Sequence, residues 1–199
     1  MKITSKILKK SLLKTTLLMT PVVLLILFVL SSCNNQKKPE DTKQVAEEHN
    51  DAKFDNTKEK DAQFLVTAAE INLEEISLGQ LAQSKGTMTE VKALGKMMEM
   101  ENNSALKSLQ VLAAKKQITL PTSVTDNGKD GYKKLMDKPV KDFDKAYSSM
   151  MVEGQKEAMD KFKKASATAE DADIKSWAAS MLPSLRMRLD KAIYCEKMK

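Results

Sequence analysis

Phe64, Ala68, Ile71, Glu75, Leu78 and Ala82 follow one another at alternating steps of four and three residues. That spacing keeps all six on one face of an α-helix and on no face of a strand. The same rhythm recurs three times. Val91, Leu94, Met98, Asn102, Ala105, Leu109 and Leu112 carry it through a second stretch that runs to about Lys116. Phe143, Tyr147, Met151, Gln155, Ala158, Phe162 and Ala165 carry it through a third. Ile174, Trp177, Met181, Leu185, Arg188 or Leu189, and Ala192 carry it through a fourth. Four such stripes find cover most simply against one another.

The punctuation fits four helices. Asp61 is placed to cap the first and Gly86 to stop it. Thr87-Met88-Thr89-Glu90 has the spacing of a capping box for the second. Pro121, Asn127 and Gly128 break that helix, and a short helical piece fits between about Lys129 and Met136. Pro139 suits the first turn of the third helix, and Asp171 caps the fourth. Pro183 removes one backbone bond inside the fourth and should kink it without ending it. Six glycines, five prolines and 5% aromatics agree with helix over sheet. The expected fold is all-α: an antiparallel four-helix bundle with an extra short helix in the long connection between helices two and three.

Ahead of the bundle, residues 1–14 hold five lysines and no acid, and residues 15–30 are apolar. Leu30-Ser31-Ser32-Cys33 follows. A basic start, an apolar run and small residues form a secretory leader. The Leu-Ser-Ser-Cys ending resembles the bacterial lipobox, in which a lipid is joined to the cysteine and the chain is cut before it. The competing reading is a transmembrane anchor, for which sixteen apolar residues are short. The lysines stay inside under both, so the domain lies outside the cytoplasm. The expected division is therefore a lipoprotein signal over 1–32, a lipidated Cys33 with a solvated tether over 33–60, and a helical domain over 61–199. Residues 34–60 are too polar to bury much surface, and His49 within them is given no role. The expected location is the outer membrane, held through the lipid.

Charge distribution excludes a nucleic-acid binder. The net charge is +6, but without the five leader lysines the chain has 28 basic residues against 27 acidic, with the signs mixed. Two cysteines, Cys33 and Cys195, make no disulfide framework. The sole histidine lies in the tether, so the domain holds no Ser-His-Asp or Cys-His set, and no enzyme activity is expected.

Polar residues interrupt each stripe: Glu75, Asn102, Gln155 and Arg188, all near mid-helix or just beyond. In a bundle they can meet at one height, and such a cluster is tolerated only if its members pair. The alternative is that they sit at the stripe edge, in water, with Arg188 snorkelling outward.

The stretches "DAQFLVTAAEINLEEISLGQLA", "VKALGKMMEMENNSALKSLQVLAAKKQITLP", "FDKAYSSMMVEGQKEAMDKFKKA" and "IKSWAASMLPSLRMRL" resemble successive segments of a bacterial family of exported, ferritin-like helical domains assigned to the outer membrane and of unknown function. The resemblance covers about residues 61–192. It implies a ferritin-like bundle, and it implies histidines at the positions of Asn102, Gln155 and Arg188, all three replaced here. Glu70 and Glu75 remain in the first helix. Amides are poor substitutes for imidazole as metal ligands, and an arginine cation repels a metal. The expectation is a degenerate core site of Glu70, Glu75, Asn102, Gln155 and Arg188, with no metal, no cofactor besides the lipid on Cys33, and Arg188 paired with Glu75 or Glu70. The alternative is metal handling, with iron held through Glu70 and Glu75 or Cu(I) through Met97, Met98, Met100, Met150 and Met151. No protein partner is named by the sequence.

Overall fold

The computed structural model describes residues 40–198. Cys33, the leader and residues 34–39 lie outside the described residues. Six helices follow in order: α1 (Thr42–Asp51), α2 (Asn56–Lys85), α3 (Thr89–Lys116), α4 (Asp126–Met136), α5 (Val140–Thr168) and α6 (Ala172–Lys197). Among the described residues none is long and apolar enough to cross a membrane.

The four long helices pack as antiparallel pairs. α2 and α3 form one hairpin and α5 and α6 the other, with α3 against α6 and α2 against α5. Contacts between the ends fix the directions. The α2–α3 turn meets the start of α5 at Asp144, and the end of α3 meets the start of α6 through Lys116 and Asp171. The connection from Gln117 to Pro139 therefore returns along the length of the helices, carrying α4 against α2. The stripes read from spacing form the core, including Leu78, Met98, Leu109, Phe143, Tyr147, Phe162, Ile174 and Leu185. Where α2 and α3 come closest, Gly79 faces Gly95. A Cβ on Gly79 would stand 2.5 Å from the Gly95 carbonyl oxygen.

The expected solvated tether over 33–60 does not describe residues 40–60. Residues 42–51 form α1, and α2 begins five residues before Asp61. α1 docks through polar groups that hydropathy does not weigh. The Asn50 amide donates to the Thr119 carbonyl (2.9 Å) and accepts from its N–H (2.8 Å). Lys43 pairs with Glu70 at 2.7 Å, and Lys53 donates to the Gln117 carbonyl.

Helix ends also depart from expectation. Asp55, not Asp61, caps α2, accepting from the Lys58 N–H. The expected box at Thr87–Glu90 does not form, since Met88 is the N-cap and offers no side-chain bond. Both displaced roles are filled across the structure. The Asp144 carboxylate of α5 accepts from the N–H groups of Thr87 (3.0 Å) and Met88 (2.9 Å) and from the Thr87 hydroxyl. The Asp61 carboxylate of α2 accepts from the N–H groups of Glu170 (3.3 Å) and Asp171 (2.8 Å). Asp61 and Asp144 lie 83 positions apart in the chain, as do the two helix stops Gly86 and Ala169. Those stops share an extended backbone, at φ −58°, ψ 148° and φ −59°, ψ 137°. Asp171 caps α6 as expected, accepting from Asp173 and Ile174. Pro139 is the N-cap of α5, and α6 continues through Pro183.

Candidate functional site

Each long helix contributes one polar side chain to the same buried point. Glu75 of α2 is 5% exposed, Asn102 of α3 and Gln155 of α5 are fully buried, and Arg188 of α6 is 3% exposed. Their stripe positions bring them to one height, because adjacent helices run antiparallel and each residue lies near mid-helix.

Glu75 is the hub. Its Oε1 accepts from Gln155 Nε2 at 2.5 Å. Its Oε2 accepts from Asn102 Nδ2 at 2.8 Å and from Arg188 Nη1 at 3.3 Å. Arg188 Nη1 also donates to Asn102 Oδ1 at 2.5 Å. Asn102 is thus used at both ends, its oxygen facing the cation and its nitrogen the anion, and the nitrogen also donates to the Met98 carbonyl. This assignment of the amide is the one that the charges require. A buried carboxylate is strongly disfavoured unless paired and hydrogen-bonded. Here three donors meet that need, one of them the fixed positive charge of Arg188.

The network is not closed at its rim. Arg188 Nε, Gln155 Oε1 and the Tyr147 hydroxyl have no hydrogen-bond partner among the described residues. Burial, reinforced by the Glu75 and Cys195 charges, drives the Tyr147 phenol well above its ordinary pKa, so it stays neutral. The Met98 sulfur lies 3.9 Å from Gln155 Nε2.

Glu70 does not belong to this group. It lies five residues from Glu75, which turns it about 140° around the helix. Its carboxylate accepts instead from Lys43 of α1 and from the Thr125 hydroxyl that caps α4. Iron bridged by Glu70 and Glu75 therefore has no common site. The methionines are equally scattered: Met98 is buried, Met97 partly buried, and Met100 62% exposed. Among the described residues, no three His, Cys, Asp or Glu side chains are grouped to hold a metal ion. The donor set at the hub, with one carboxylate, two amides already engaged and a guanidinium, does not fit a ferritin-type metal centre, which needs several carboxylates and imidazoles.

A groove of about 230 Å³ between α2 and α5 reaches the flank of Glu75. Glu74, Glu153, Glu157 and Lys161 line it. Burial raises the Glu74 pKa, with the Glu75, Glu70 and Glu157 charges adding to it. Tyr147 and Met98 are neighbours of the hub that spacing had marked only as core. Asn72, buried and bonded to the Ala68 carbonyl, is a polar core residue that the stripe did not flag.

Residues 44–193 match the family designated DUF4142, described as a domain of unknown function, and the chain belongs to that family. No curated protein and no solved structure matches it.

Proposed function

We propose that the chain is a lipid-anchored protein of the cell envelope, held by Cys33 in the outer membrane, whose ferritin-like domain has a binding or envelope-maintenance role and no catalytic centre. Two antiparallel hairpins joined by one long crossover support the ferritin-like reading. The leader pattern ending in Leu-Ser-Ser-Cys supports the anchor.

The observation that carries the reading is Arg188. Its guanidinium stands in the core against Glu75 and Asn102, which supports a core whose charge is balanced by the protein's own cation. The charge that a metal would neutralise is already neutralised. What remains is a helical body whose core carboxylate is paired within the protein, suited to presenting surfaces.

Two measurements test this. Radiolabelled palmitate should enter the wild-type chain and not Cys33→Ser. Elemental analysis of the chain made without residues 1–33 should find no stoichiometric metal. Iron or copper near one equivalent, retained through gel filtration, would restore the metal-handling alternative and refute the reading of Arg188.

A further inference from the structure

We infer that the exposed α4–α5 corner is a docking surface for anionic phospholipid headgroups, laid on the membrane that holds Cys33. The inference rests on the lipid-anchor reading above and adds which face of the domain meets the bilayer.

Length comes first. With α1 folded onto the domain, Glu40 is only seven residues beyond Cys33. Seven residues reach at most about 25 Å. The 30-residue α2 is itself about 45 Å long. The domain is therefore held closer to the bilayer than its own length, whichever face it presents.

The chain enters beside the start of α4, level with Glu70 near the middle of α2. Asp41 accepts from the N–H of Asp126, the first residue of α4, at 2.7 Å. Thr42 donates to the Ser123 carbonyl, and Lys43 pairs with Glu70. The chain thus joins the domain at the start of α4. From there α4 runs about 15 Å to Met136, which the anchor can reach.

The chemistry at that end suits a charged lipid surface. Residues 136–142, "MDKPVKD", are exposed at every position. Met136 is 50% and Val140 57% exposed, with Pro139 between them. Lys133, Lys134, Lys138, Lys141 and Lys145 surround them, all exposed, against exposed Asp137 and Asp142. Lys85 joins from α2 by donating to the Met136 carbonyl. Lys133 pairs with Asp137 at 2.8 Å, and the remaining lysines leave the corner net positive. Lysine stems can lie on an apolar surface while their ammonium groups meet phosphates. The patch is smaller than the roughly 20–30 residues a side of a specific protein interface. A covalent anchor removes the need for a larger one, because it keeps the patch at high local concentration against the headgroups.

The test uses the full lipidated chain in phosphatidylcholine vesicles with and without phosphatidylglycerol. An environment-sensitive dye is attached at Met136→Cys or, at the opposite end of the bundle, at Val111→Cys, which is 73% exposed. A Cys195→Ala background confines the label. Lipid spin-labelled near its headgroup should quench the dye at 136 several-fold more than at 111 when phosphatidylglycerol is present. That difference should shrink in high salt and in Lys134→Glu/Lys138→Glu/Lys141→Glu. Equal quenching at both positions in a chain that floats with the vesicles overturns the inference and leaves the anchor standing. Cross-linking between copies through position 136, independent of lipid charge, overturns it in favour of a second copy. A wild-type chain that does not float overturns the anchor, and the docking surface with it.

Discussion

Replacing Arg188 with methionine tests the core network most directly. The side chain is 3% exposed and donates through one nitrogen, Nη1, to Glu75 and Asn102. Its removal leaves the Glu75 carboxylate, 5% exposed, with two amide donors and no counter-charge. Breaking a buried ion pair from one side costs about 3–5 kcal/mol. The two amides remain, and the pair is not a two-pronged fork, so the lower end applies, about 3 kcal/mol. For a domain of this size that corresponds to a fall in Tm of about 6–12 °C. Glu75→Gln should cost a similar amount, since it strands the guanidinium. The double variant removes both charges and should be more stable than the sum of the singles implies, by about 2 kcal/mol. Urea unfolding can follow all four proteins by fluorescence. Trp177 is the only tryptophan, packed 5.5 Å from the Phe162 ring and bonded to Ser108. An Arg188→Met variant that melts within about 1 °C of wild type, or a cycle that adds without coupling, would refute the claim that Arg188 neutralises Glu75.

Three further outcomes follow from the geometry. Gly95→Ala should lose about 1–2 kcal/mol in urea unfolding although alanine favours helix, because the new Cβ would stand 2.7 Å from the Gly79 carbonyl oxygen and 2.8 Å from the Ala82 Cβ; a more stable variant would contradict this. Lys115, followed by Lys116, lowers the Asp173 pKa from 3.8 to about 2. A carboxyl depressed in the fold contributes stability above its unfolded value and loses it as pH falls toward about 2. Carbon-detected NMR should place the Asp173 titration there, and Lys115→Ala/Lys116→Ala should return it to the ordinary range. Asp144→Ala should cost about 2 kcal/mol by thermal melt, since two backbone N–H groups and the Thr87 hydroxyl lose their acceptor; an unchanged melt would show that solvent replaces the cap.

The four long helices and the convergence of Glu75, Asn102, Gln155 and Arg188 were legible because both depend on periodicity, which a helix cannot hide. Glu70 was misassigned although its phase relative to Glu75 was readable, the two lying about 140° apart. α1 was missed for a physical reason. It buries only Ala46 and Asn50, and side-chain bonds to Thr119 and Glu70 hold it, with one from Lys53 just past its end to Gln117, all distant in the chain. The caps at Thr87–Met88 and Glu170–Asp171 were invisible for the same reason. Local capping rules search a few residues on either side, while the acceptors come from 57 and 110 positions away.

Those two carboxylates make each hairpin the keystone of the other's turn. Asp144 of the second hairpin closes the first, and Asp61 of the first closes the second. Neither turn can be completed in a half that folds alone, so the halves certify one another on docking. In kinetic terms the two caps belong to the last step of assembly. Asp61→Ala and Asp144→Ala should leave the folding rate nearly untouched and speed unfolding. The reciprocal locks would then set how long the assembled domain persists more than how quickly it forms.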